Sequence, residues 1–593
     1  MRLLRTCAAL VWCCGLLGFG LPAPAAGAGP QLQALARDIT FTWNKEHPLQ
    51  ATALGLTQYD GDLDSPSQAE IDRDQAQIRT WQSRLQSISL EGATLPERDD
   101  ALLLKAQLTG MERQYTVYRT YEKDYAGPAN AVFDTVFLQF QYLPIAGREG
   151  TTRADVLRAW DAIIARLSKA PAYIVAGQAL VTSPGHLYGV VGAESLAQTP
   201  DFLDGPMTLA AKSQVDTARF ARFVSARNAL KATIAQTLHY VRANVASWPE
   251  NYAMGRAAYD AMLHDEQLLP FNAADIETLG QLELAHGRTE MIWLLDLAQR
   301  RGTPIGPATG GGLAPGGPAL IAYYRLRLAQ LKEWMIAHDI VVVPAWLGDV
   351  HVVETPAFLQ PISPGASSQS PRTFARETTG FYYITPPKSL EEAARTLDAN
   401  EDFDRDRIWS TGAHETMPGH FLQLSIARRH PDFVRRIQDS AVFSEGWAFY
   451  GEEMFVRLGL YGDDLDARYY TAQWECVRGA RATVDPKLAS GDWSYARAVD
   501  YFAAKTGFTK AAAKEAVAGI ALGPGYVISY TAGRLQIEEL LAEYWRRMGS
   551  RGSLLDFHTR LLSYGSTPLA IVGPELLADL DKPLSAVRAA AHY

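Results

Sequence analysis

The sequence predicts a mainly α-helical protein with a small β-sheet beside the helices that carry its chemistry. Three observations lead there. Apolar residues recur at helical spacing early in the chain, at Ile71, Ile78, Trp81, Leu85 and Ile88, and again through residues 101–111 and 156–167. A Gly- and Pro-rich stretch at 302–318 then rules out any regular element. Beyond it come short β-like runs at 340–343, 351–354 and 381–384, divided by Pro-rich turns. Length alone suggests about three or four domains. The patterning argues instead for one helical body over 29–593, or for lobes 29–301 and 319–593 joined by 302–318.

The first element is a targeting segment. Arg2 and Arg5 precede an apolar run at 10–21, which ends in Pro22-Ala23-Pro24-Ala25-Ala26-Gly27-Ala28. A charged start, an apolar core and small residues describe a signal peptide over 1–28. The run is short and Pro-terminated against the roughly 20 residues of a spanning helix. Trp12 before Cys13 is too large for a lipid-modification site, which disfavours a lipid anchor. An exported protein, periplasmic or secreted, with no stable membrane insertion after cleavage is expected. Cys7, Cys13 and Cys14 leave with the segment, so Cys476 remains without an intrachain partner. Net charge is −9 from 56 basic and 65 acidic residues, with no long basic block, which argues against a nucleic-acid partner.

The helical stripes read as core. The run at 381–384 reads either as a sheet edge to which a peptide adds as a further strand or as a fully paired core strand. Past the sheet, the chemistry concentrates. His414-Glu415-Thr416-Met417-Pro418-Gly419-His420 holds two imidazoles and a carboxylate, and Glu445 follows 25 residues after His420. Two His and a downstream Glu form a catalytic zinc ligand set with one position left open. Glu415 would then take a proton from the metal-bound water. The spacing is unusual. Six residues on a straight helix give roughly 600° of rotation and about 9 Å of rise, turning the two rings apart. Pro418 cannot complete a helical hydrogen bond and Gly419 tolerates unusual angles. A break that absorbs two residues would bring His420 back. Alternatively, Pro418-Gly419 ends one helix and His420 merely caps the next.

His-Glu-x-x-Pro-Gly-His followed by Glu445-Gly446-Trp447-Ala448-x-Tyr450-x-Glu452 resembles the bacterial family of unknown function DUF885. Pro524-Gly525, Tyr530, Gly533, Asp556-Phe557-His558 and Gly565-Ser566-Thr567-Pro568-Leu569 extend the resemblance, which is sharpest from about Thr378 to Leu569. It implies an exported or lipid-anchored, zinc metallopeptidase-like protein with a large helical body, His414, His420 and Glu445 as ligands, and Glu415 as general base. Tyr526 stands where the family commonly has Gln.

Around these residues further roles are expected, each beside a plainer one. Glu445 falls near the start of a helix running to about Arg457, on one face with Ala441, Ala448 and Glu452. Glu452 could orient a ligand His or simply face solvent. Gly446 and Gly451 suggest close packing against another backbone. Tyr526, Tyr530 and Arg534 form a stripe after Pro524-Gly525. Tyr530 could donate to a developing oxyanion, Arg534 could hold a peptide carboxylate, and Tyr526 could contact substrate; the plainer account is aromatic packing with an exposed Arg. His558 offers a substrate-side or proton-transfer role against plain burial beside Phe557. The expectation is one zinc per chain and hydrolysis of peptide bonds in short or unfolded peptides. The rivals are a zinc hydrolase of non-peptide amides or esters and a periplasmic binding or scaffold protein with a non-catalytic metal site.

Overall fold

The computed structural model describes residues 27–144, 151–303, 305, 318–355, 366–384 and 408–593. The predicted signal segment, apart from its last two residues, and most of the 302–318 stretch lie outside the described residues. The rest is mainly helical, with one three-stranded sheet. Among the described residues no helix is long and apolar enough to cross a membrane.

The early helices form where the apolar stripes and their caps agree. Ser67 accepts from the Glu70 amide at the start of Gln68–Ser87, and Thr94 and Thr152 close reciprocal caps with Glu97 and Asp155 at the starts of Leu95–Arg113 and Arg153–Gln178. Ile78 and Trp81 are fully buried, and Trp81 shares a core with Leu32, Leu103 and Leu104 that also takes Phe433, Val434 and Ile571. The N-terminal helices therefore share a core with segments more than 300 residues away. Helix Ala273–Arg301 lies along Leu465–Ala489, and Ala441–Arg457 lies along Ser529–Met548. These four long helices and the short ones before them enclose the largest core, in which Phe421, Phe443, Trp447 and Phe557 are essentially inaccessible. Each buried Phe contributes about 1.5–3 kcal/mol.

The sheet runs β1 (Val350–Glu354), β3 (Gly380–Ile384), β2 (Ala366–Gln369), with β1 parallel and β2 antiparallel to β3. Residues 381–384 are thus the central strand and not a free edge. Tyr382 and Ile384 are buried against Leu320 and Tyr324 of helix Pro318–Ala337, which explains the aromatic, apolar composition. The edge beside the chemistry is β2, which lies against Ile408–Glu415 and His420–Ala427. Residues 340–343 form no strand. Their backbone groups bond to side chains instead: Ile340 O to His558 Nδ1, Val342 N to Thr559 Oγ1 and Val342 O to the Tyr593 hydroxyl.

Candidate metal centre

The 414–420 segment closes by a helix break. Helix Ile408–Glu415 stops, four residues turn through a cis Met417–Pro418 peptide, and His420 is the first residue of helix His420–Ala427. The Gly419 amide donates back to Ala413 O at 3.0 Å, and the Trp447 indole N–H holds Pro418 O at 2.8 Å. Gly419 is required there, since a Cβ would stand 1.8 Å from His414 O. The helix end and the helix start together present both imidazoles to one point. Their ring centres are 4.8 Å apart and nearly perpendicular.

Glu445 enters from helix Ala441–Arg457. Its Oε2 lies 3.3 Å from His414 Nε2 and 3.4 Å from His420 Nε2. Nitrogen and oxygen donors about 2.05 Å from a tetrahedral zinc are about 3.3 Å apart, so these separations fit one ion held by all three. Glu445 Oε2 is buried and has no hydrogen-bond partner, which a cation at that point would supply. Burial works against the charge of Glu445, but His420 and His414 outweigh it and hold the carboxyl well below its ordinary range. Burial likewise opposes the His414 imidazolium, yet Glu445 and Glu452 raise its pKa to about 10.

Glu452, two turns along the same helix, orients His414. Its Oε1 is 2.6 Å from His414 Nδ1, and the carboxylate also accepts from Arg478 at 2.5 Å and Ser410 at 3.2 Å. Burial would raise its pKa, but Arg478 and then His414 bring it below the ordinary value. A carboxylate on the far nitrogen fixes the tautomer that frees Nε2 for a metal. Glu415 is half-buried beside His414 and within electrostatic reach of Tyr530. The Tyr530 ring stacks on His414 at 6.0 Å, and burial, reinforced by Glu445, keeps its hydroxyl protonated.

The structure gives other expected residues different partners. Tyr526 precedes helix Ser529–Met548 and donates its hydroxyl to Glu445 Oε1 at 2.5 Å, so it holds the carboxylate rather than standing free for substrate. Arg534 does not face a substrate. It is buried among Glu453, Glu283 at 2.5 Å and Glu475 at 3.8 Å, and lies over Phe449. His558 is fully buried, with Nδ1 2.7 Å from Ile340 O and Nε2 2.9 Å from the Tyr450 hydroxyl. Burial lowers its pKa to about 4, so it is a neutral packing residue with both nitrogens engaged. Gly446 meets Gly533 backbone to backbone, whereas a Cβ at Gly451 would find only Pro418 at 3.8 Å, an ordinary contact. Sequence reasoning passed over Arg478 and Arg481. Their signal was two cations three residues apart within a helix of otherwise small and apolar neighbours.

A second buried grouping, His47, Glu70 and Asp74, lies in the N-terminal half. There His47 sits between Asp64 at 3.7 Å and Asp74 at 3.4 Å. Burial disfavours its charge, but the two carboxylates raise its pKa to about 9.

Comparison with known proteins was informative only at the level of family and fold. The profile of the family "Bacterial protein of unknown function (DUF885)" matches residues 48–576. No curated protein matches. Similar solved structures include two that cover nearly the whole chain. One, described as "a putative lipoprotein of unknown function from Shewanella oneidensis", has a TM-score of 0.72 at 19% identity, covering 93% of this chain and all of that one. The other, "the putative lipoprotein from Colwellia psychrerythraea", has a TM-score of 0.74 at 17% identity, covering 94% and 100%. At such identities the likeness is one of fold.

Proposed function

Given that this chain belongs to the DUF885 family of bacterial proteins, we propose that it is an exported zinc-dependent metallopeptidase acting on short or unfolded peptides. One observation carries the reading: His414 Nε2, His420 Nε2 and Glu445 Oε2 converge at 3.3 and 3.4 Å, with the unligated carboxylate Glu415 next in sequence. A structural metal site has no use for such a carboxylate. A zinc ion held there supplies a Lewis acid that polarises a carbonyl and lowers the pKa of water. Glu415 accepts the proton of the attacking water and passes it to the leaving amine. Tyr530, kept protonated beside His414, donates to the oxygen that gains negative charge. Glu452 and Tyr526 hold a ligand imidazole and the ligand carboxylate in place.

Metal analysis by mass spectrometry on the purified protein and its His420→Ala variant tests the centre. About one zinc per chain in the parent, lost in the variant, is expected. Glu415→Gln should keep the zinc and lose about 10²–10⁴-fold in peptide hydrolysis. Full activity in that variant would end the mechanism, and hydrolysis of esters or non-peptide amides alone would change the substrate class.

A further inference from the structure

Arg481 differs from the other cations near the metal centre. Arg478 is matched by Glu452, and Arg534 by Glu283 and Glu453. Arg481 has no ion pair or hydrogen bond among the described residues, and meets only the faces of Trp474 at 5.6 Å and Tyr530 at 5.9 Å. It is half-buried, and burial, with Arg478 adding to it, pulls its pKa down against Tyr530 and Glu445, neither of which bonds to it. A guanidinium withdrawn from water without an acid beside it is costly, and an anion arriving from solution would offset that cost. Arg478, three residues earlier on the same helical face, has Nε and Nη1 buried and unbonded. The two cations thus leave planar donors in surplus at one spot.

The spot is tied to the metal centre by Tyr530. Its ring stacks on His414 at 6.0 Å and lies beneath Arg481 at 5.9 Å. By these two contacts, 6.0 and 5.9 Å, the Arg481 guanidinium lies within about 12 Å of the His414 ring. It is placed for a group one residue further along. One residue spans about 3.8 Å, and a ligand bond at one end with a charge-assisted hydrogen bond at the other adds about 5 Å. Two successive contacts of about 6 Å, folded through one ring, accommodate that reach.

We propose that Arg481 receives the free C-terminal carboxylate of a peptide whose last bond lies at the metal centre, so that the protein removes C-terminal residues. This rests on the metallopeptidase reading above. One water is consumed per turn: its oxygen bonds to the acyl carbon, the C–N bond breaks, and one proton passes to the amine. The products are a free amino acid and a peptide shortened by one residue, carrying a new terminal carboxylate. Arg481 is a carboxylate-binding residue here and takes no part in the proton transfers.

Two measurements on the full mature chain test this. Calorimetry on metal-free protein, with an N-acetyl dipeptide as free acid and as amide, reads the carboxylate site alone. The parent should prefer the acid at least about tenfold, Arg481→Met should lose the preference and Arg481→Lys should keep part of it, all three with matching circular dichroism. On zinc-loaded protein, a peptide acid should release its last residue about 100-fold faster than its amide, and Arg481→Met should lower kcat/KM on the acid by a similar factor at unchanged zinc content. Equal handling of acid and amide, or cleavage only at internal bonds, overturns the proposal and leaves the peptidase reading intact. Preference for an acidic side chain over the terminal carboxylate overturns it in favour of acidic-residue recognition. An acid preference in binding with no hydrolysis by the zinc-loaded protein overturns the peptidase reading and leaves the carboxylate site standing.

Discussion

Glu452 touches no substrate, yet it governs how well His414 can serve as a ligand. Its 2.6 Å contact with Nδ1 sets the ring's orientation, and Arg478 and Ser410 set Glu452 in turn. Glu452→Ala is expected to weaken zinc binding about 10–100-fold, read by competition with a chelator of known affinity. Unchanged affinity would mean that the Ala441–Arg457 backbone alone positions the ligands. At this scale the sequence was readable where the chemistry is local. His414, Glu415, His420 and Glu445 lie close together in the chain, so residue type suggests the group, although the spacing of the two His leaves a plain helix cap as an alternative. Arg534 shows where that stops. A helical stripe tells which residues share a face but not what faces them, and the carboxylate Glu283 that accepts from Arg534 comes from 251 residues away. Arg481 escaped notice for the same reason, because the absence of a partner is a property of space and not of spacing.

At the scale of elements, the helix break at 416–419 is the device on which the centre depends. Gly419→Ala places a Cβ against two carbonyl oxygens, at 1.8 Å from His414 O and 2.4 Å from Ala413 O. The variant should lose zinc and melt at lower temperature; a zinc content of about one per chain at unchanged Tm would show that the break accommodates a side chain. The long helices were legible because caps and apolar stripes coincide, as at Ser67 and Thr94. The short β-like runs were legible only in part. Residues 340–343 carry strand-forming side chains, but hydroxyls and an imidazole from 217 residues and more downstream take their backbone groups. The position of 381–384 within the sheet was likewise beyond reach, since order among strands depends on which neighbours arrive to pair.

At the scale of the whole molecule, buried charges join segments that apolar burial alone would leave loosely related. Arg435 donates to Asp100 at 3.0 Å and in fork fashion to Glu575 at 2.7 and 2.6 Å, all essentially buried. Arg435→Met leaves those carboxylates uncompensated and should cost about 3–5 kcal/mol in denaturant unfolding; a loss under about 0.5 kcal/mol would show that they simply take up protons. His47 predicts a pH dependence. Its pKa is raised from 6.5 to about 9 by Asp64 and Asp74 against the effect of burial, with Glu70 and Tyr115 also facing the cluster. The folded state therefore binds the proton more tightly than the unfolded chain. The contribution is fully present below about pH 6.5 and is lost as pH rises through about 9. Unfolding free energy should fall across that window, and His47→Gln should flatten the fall; an identical slope in the variant would assign it elsewhere. The Arg435 cluster also has a consequence in time. On a growing chain Asp100 is made first, Arg435 follows 335 residues later, and the fork of Glu575 arrives 140 residues after that. Until then the guanidinium has only half its match, so the joint between the early helices and the half that carries the candidate metal centre is among the last parts of the molecule to be sealed.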